Sequence, residues 1–220
     1  MKYNLPENKK MSLLCDCPLP AALTALTAVT CKTKFDQIVR MGIQRVSTTT
    51  PFNGGLGDDI EVEADWTSRM ALADSDKIII TPFFTSLVFP VSESILSGGG
   101  DNTTVNGLPE YQGESNVAVE GVFKDLPDVQ VQELDDLACE SLAQDGEASI
   151  WVYFFNRFGK IIHGLTFQGI PVYNFRISSL GSEGLNASNM HSFRFDLVNT
   201  PKAWDRDSVL ATPAFDPLTL

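Results

Sequence analysis

The sequence predicts a mainly β protein: a β-sandwich or barrel with one flanking amphipathic α-helix, a long Gly-rich loop and extended terminal arms. Three observations carry that expectation. Short stretches of alternating apolar and polar residues recur along the chain, separated by clusters of Gly, Pro and Asn. A single window, Gln130–Leu142, sets out a clear apolar stripe at helical spacing. Both ends, and the Gly-rich stretch Ser97–Ser115, are only weakly patterned. A length of 220 residues suits one domain, with an arm over about residues 1–30, a β-rich core over about 31–199 and a second arm over about 200–220.

The N-terminal stretch closes on Pro18, Leu19 and Pro20, and Ala21–Thr30 has room for no more than a helical turn or two. Lys34–Val46 alternates, with Phe35, Val39, Met41 and Ile43 on one side, as a strand with one buried face does. Asn53, Gly54, Gly55 and Gly57 mark a loop; Ile60–Glu63, Lys77–Thr81 and Thr85–Phe89 follow as short strand candidates, the last two bounded by Pro82 and Pro90. Trp66–Leu72 fits neither period cleanly. Ser97–Ser115 carries Gly98, Gly99, Gly100, Asp101, Asn102, Asn106 and Gly107, the candidate inter-subunit loop. Fully extended, it would span about 60 Å at roughly 3.3 Å per residue, enough to cross a neighbouring subunit.

Val117–Phe123 alternates again, and Asp125, Pro127 and Asp128 open the helix. Within it Leu134, Leu137, Ala138 and Leu142 form the stripe, and Cys139 reads as a small core residue. Ser149–Phe155 and Lys160–Phe167 flank Asn156, Arg157, Phe158 and Gly159 as a hairpin. The run Trp151–Phe155 is too apolar for one-sided burial, leaving two readings open: a helix on one face and a neighbouring subunit on the other, or burial of both faces within one chain. Pro171–Ser178 and His191–Val198 add two strands, and the tail with Pro201, Pro213 and Pro217 reads as a surface arm.

Sixteen Lys and Arg against 28 Asp and Glu give a net charge of -12, and the pI is near 4.5, so the surface as a whole repels a phosphate backbone. The longest apolar run, Ile150–Phe155, is far short of a membrane helix, which leads to the expectation of a soluble protein. Met11–Leu14, after the Lys9–Lys10 pair, is too short for a signal-peptide core even with Cys15 following. Cys15, Cys17, Cys31 and Cys139 are too few for a disulfide scaffold, and the first three have neither zinc-site spacing nor a nearby His.

Reaction centres are not signalled. His163 and His191 both fall in expected strands without a nucleophile motif, each read as a histidine with its polar tip exposed or hydrogen-bonded. Gly98–Gly100 lacks the Gly-Lys-Ser/Thr of a phosphate loop, and no Lys or Arg lies between Lys77 and Lys124. Asp101, Asn102 and Thr103 fall short of a calcium loop. Asp58, Asp59, Glu61, Glu63 and Asp65 gather carboxylates that would suit a hydrolase if two flanked a cleft; otherwise they read as an acidic strand edge. Asn102–Thr104 and Asn186–Ser188 match the glycosylation tripeptide, with no secretory signal to expose them to the modification. No cofactor, metal or catalytic residue is expected.

The succession Cys31, Phe35, Gln37, Ile38; then Trp66, Asp74, Lys77, Thr81, Pro82; then Gly98–Gly100 with Asn102, Thr103, Asn106 and Gly107; then Leu137, Cys139 and Glu140 resembles virion structural proteins of tailed bacteriophages, tail tube proteins above all. The resemblance covers about residues 31–200. It implies a barrel or sandwich with a flanking helix, self-assembled as stacked hexameric rings whose long loop and arms reach adjacent rings. It further implies a channel through which DNA passes without specific binding, other virion proteins as partners, no membrane and no enzymatic activity. The protein would be made in the host cytoplasm and reside in the virion. Two other classes share the profile: a capsid decoration or fibre/adhesin protein, and a carboxylate-dependent hydrolase built on two of the five acids from Asp58 to Asp65.

Overall fold

The computed structural model describes residues 37–46, 52, 57–73, 76–100, 107–143, 148, 150–182, 189–199, 204, 205 and 207–220. The expected N-terminal arm, with Cys15, Cys17 and Cys31, lies outside these residues. Along the chain run β1 (Ile38–Arg45), α1 (Glu63–Met70), β2 (Ile78–Ile80), β3 (Phe84–Val88), β4 (Ser94–Ser97), β5 (Glu110–Glu114), β6 (Val117–Lys124) and α2 (Asp128–Leu142). They are followed by β7 (Ile150–Asn156), β8 (Ile161–Gly164), β9 (Ile170–Ile177), β10 (Gly181–Ser182), β11 (Asn189–Leu197) and β12 (Ser208–Ala211).

The protein is mainly β, and every strand pairing is antiparallel. One layer runs β2-β1-β7 and continues from β7 to β8 and β12; the other runs β9-β11-β6-β3. β9 belongs to both. Its first residues pair with Val152–Ile150 of β7, and its later ones pair with β11. Between these stretches the register slips at Asn174, which takes a positive φ of 52° and donates from Nδ2 to Asp196 Oδ2 at 2.9 Å. A bulge of this kind bends the strand, letting it leave one layer and enter the other.

The main core lies between the layers. Met41 and Ile43 of β1, Val152 and Phe154 of β7, Val119 and Phe123 of β6, and Phe193 and Phe195 of β11 meet there, with Leu134, Leu137 and Ala138 of α2 joining them. α2 lies along β9, and Ser141 Oγ accepts the Phe175 backbone N–H at 3.0 Å. The helical stripe was legible, but its last member turns outward: Leu142 is exposed, Ser141 is buried in its stead, and Cys139 is exposed on the helix surface.

The aromatic run is buried on both faces within one chain. Alternation sends Val152 and Phe154 to the main core and Tyr153 and Phe155 to a second core on the other face of β7. That second core is roofed by α1, a helix the sequence reading did not assign. Trp66 drives its docking: fully buried, it donates from Nε1 to Ile60 O at 2.9 Å and meets the edges of Tyr153 and Phe155 with ring centroids 5.4 Å away. The expected strand Ile60–Glu63 is instead the turn and first residue of this helix. Its period was masked because only Trp66 and Arg69 of α1 are buried.

The C-terminal segment corrects the expectation of a loose arm. β12 pairs with β8, and Phe215, Leu218 and Leu220 pack on the second core. Arg40 clamps the end of the segment, donating from its terminal nitrogen to the main-chain oxygens of Leu218 and Leu220, each at 2.9 Å.

Candidate functional site

The Gly-rich stretch is a hairpin rather than an open loop. β4 pairs with β5 alone, forming a separate two-stranded sheet in which Leu96 stands opposite Tyr111. Gly98, Gly99, Gly100 and Gly107 all take positive φ, and the Gly100 N–H donates to Gly107 O at 3.0 Å, so the chain reverses soon after β4 ends. Asp101, Asn102 and Asn106 of the candidate loop lie outside the described residues, as does the Asn102 tripeptide. Folding back halves the available reach, to about 30 Å.

The base of the hairpin is tied to the body. Glu93 and Ser115 exchange hydrogen bonds at 2.8 and 2.9 Å, Ser92 Oγ donates to Glu114 Oε2 at 2.7 Å, and the buried Asn199 donates from Nδ2 to Ser115 O at 2.8 Å. Beyond that base nothing among the described residues covers it. Ile95 is 50% exposed, Leu96 55% and Tyr111 49%. An isolated two-stranded hairpin is marginal in water, and burial of its exposed apolar side chains against a further surface would stabilise it.

A second feature lies where the β layers fail to close. β3 bonds to β6 on one side, and on its other side, among the described residues, no strand pairs with it. β2 joins β1 from Gly42 onward and Thr81 bonds to Met41, so only the residues of β1 before Met41 lack a strand on the side that faces β3. A register slip between Thr85 and Val88, with Ser86 at a φ of 58°, bends β3 and prevents the two edges from meeting. The gap is a cavity of about 380 Å³ with walls that include Ile38, Val39, Phe84, Leu87 and Phe89. Arg157, exposed in the β7–β8 turn, stands at it and is held in place by a hydrogen bond from its backbone N–H to Gln37 O at 2.9 Å.

The acidic cluster serves the start of α1 instead of an acidic strand edge. Asp58 pairs with the buried Arg69 at 2.8 Å, Asp65 Oδ2 accepts the Asp59 N–H at 2.8 Å, and Asp59 Oδ1 accepts the Glu61 N–H at 3.0 Å. Glu63 and Asp65 lie in the first helical turn, where the partial positive charge of the helix end favours them. Glu61 Oε1 accepts the Thr212 N–H at 3.4 Å.

Both histidines are buried, each with Nδ1 against a carbonyl: Gly164 O at 2.7 Å for His163 and Ser178 O at 3.1 Å for His191. In His163 this hydrogen bond leaves Nε2 buried without a partner, and the ring stacks on Phe167. Burial pushes the His163 pKa below 6.5, only partly offset by the Gly164 carbonyl and the Glu61 charge. Burial drives the Tyr153 phenol well above its usual range; its OH donates to Gln44 Oε1 at 3.1 Å. Among the described residues no group of three or more His, Cys, Asp or Glu side chains could hold a metal ion.

No protein-family model, curated protein or solved structure matches this chain. The surfaces above therefore stand on their geometry. The alternation and glycines located the Gly-rich segment but not the exposed apolar residues that flank it, nor any of the groove. Ile95–Leu96 and Tyr111, on either side of the glycines, were the available signal for the hairpin. The groove had none, because its walls come from β1, β3 and the β7–β8 turn, far apart in the chain.

Proposed function

We propose that this chain is a structural subunit that self-assembles, stacking as rings of a phage tail tube that form a conduit for DNA. The observation that carries the reading is the β4–β5 hairpin, which is anchored at its base and exposes apolar side chains that the rest of the described chain leaves uncovered. A surface of that kind is stabilised by burial against another molecule. A mainly β fold with a helix along one layer is also what the resemblance implies. The charge of -12 suits a conduit, since a negative wall lets DNA slide without being held.

The test is negative-stain electron microscopy of the purified chain across a concentration series, with native mass to count subunits. Rings or hollow filaments are expected. A chain that stays monomeric throughout overturns the proposal, and a discrete trimer replaces the tube with a decoration or adhesin role.

A further inference from the structure

We propose that the groove between β1 and β3 of one copy receives the β4–β5 hairpin of the next. This rests on the self-assembly reading and specifies its acceptor. The two surfaces are complementary in chemistry. The groove has apolar walls from Ile38, Val39, Phe84, Leu87 and Phe89, while the hairpin exposes Ile95, Leu96 and Tyr111. A cavity of about 380 Å³ has room for side chains of this size, and filling it removes apolar surface from water on both partners.

Charge selects this pairing over others. Two copies carrying -12 each repel, so a contact between them needs a local cation facing acids. The groove supplies Arg157 as the ionisable side chain of its lining. The hairpin supplies Glu110, exposed at the end of β5 away from the anchored base, within a segment that has no Lys or Arg between Lys77 and Lys124. A guanidinium can hold a carboxylate with two parallel hydrogen bonds, which would orient the incoming hairpin as well as attract it.

The hairpin does not occupy its own groove, because its apolar residues are exposed while both features belong to the same chain. Donor and acceptor are therefore different surfaces. Passed head-to-tail from copy to copy, instead of exchanged reciprocally between two, such a contact propagates into rings or filaments. The bend in β3 then has a use: by keeping the layers from closing it leaves the acceptor open.

The experiment uses the full chain and reads the concentration at half-assembly by sedimentation, with circular dichroism melts to establish that each variant is folded. Arg157→Glu is expected to raise that concentration by about tenfold or more, and Glu110→Lys to do the same. Mixed in equal amounts, the two variants are expected to assemble again, since each groove then faces a hairpin of opposite charge. Thr85→Trp, at an exposed position that lines the groove, should block assembly by filling the acceptor without touching the charges. Wild-type chain that never assembles overturns self-assembly itself. Wild-type chain that assembles alongside equally competent Arg157→Glu and Thr85→Trp variants overturns the groove alone. Two assembly-deficient charge variants that fail to rescue each other overturn the hairpin-to-groove pairing.

Discussion

Phe154→Ala separates what holds the subunit together from what joins subunits. Phe154 is fully buried in the main core, edge-on to Phe89 at 5.7 Å and stacked with Phe195 at 6.2 Å. Truncating it removes apolar transfer energy and leaves a cavity in a close-packed layer, a combined cost of about 3–5 kcal/mol. Loss of the aromatic contacts moves the figure toward the upper end. Against a domain stability of roughly 5–15 kcal/mol this is a large fraction, equivalent to a fall in Tm of roughly 6–20 °C for a chain of this size. Urea unfolding followed by circular dichroism should show a lower midpoint with an unchanged slope. Below the unfolding transition, the change should reach assembly only through Phe89, the neighbour that also lines the groove. A loss of less than about 1 kcal/mol would refute the placement of β7 between two cores of one subunit.

Three further outcomes follow from other contacts. Asp58→Asn replaces the anion beside Arg69, whose guanidinium also lies over the Phe52 ring at 4.4 Å; the expected cost is about 1–3 kcal/mol, and an unchanged urea midpoint would show that the ion pair contributes nothing. Gly169→Ala would set a Cβ 2.6 Å from Trp151 Cβ and 3.0 Å from the Val152 nitrogen, both fixed by strand pairing, so it should destabilise by about 1–3 kcal/mol; a neutral melt would mean that β9 can shift away from β7. Because folded His163 has a pKa below 6.5, the unfolded chain binds the proton more readily, and the histidine's contribution, fully present above that value, is lost as pH falls toward the folded pKa. Urea midpoints measured at about pH 7.5 and about pH 5.5 should therefore differ more for the wild type than for His163→Gln, and equal differences would place the titration elsewhere.

Much of the β architecture was readable because alternation in strands with one buried face leaves a period of two. β1, β6, β9 and β11 all fall where that period marks them, and α2 falls where its Leu and Ala stripe does. The misses share a cause. α1 inserts only Trp66 and Arg69, too few to mark a helical period, and its acids look like those of a strand edge. β12 and the residues after it carry Pro213 and Pro217, which read as an arm, yet their apolar side chains find a ready-made surface on the second core. Such docking depends on what the rest of the chain presents, and that is absent from any local window.

The same division holds for the proposed assembly site. Residue order alone shows that a Gly-rich stretch interrupts the strands, that the chain is strongly acidic and that β7 is too apolar to have one wet face. Those are properties of composition and neighbouring residues. Packing between distant segments settled the rest: the Gly-rich stretch belongs to a hairpin whose apolar side chains the described residues leave exposed, both faces of β7 are buried in its own chain, and β1 and β3 stop short of each other with Arg157 beside the gap. A groove is made by residues distant in sequence, and its existence turns on how one bulge bends one strand. No periodicity records that, because the same alternating residues would serve equally well in a closed barrel.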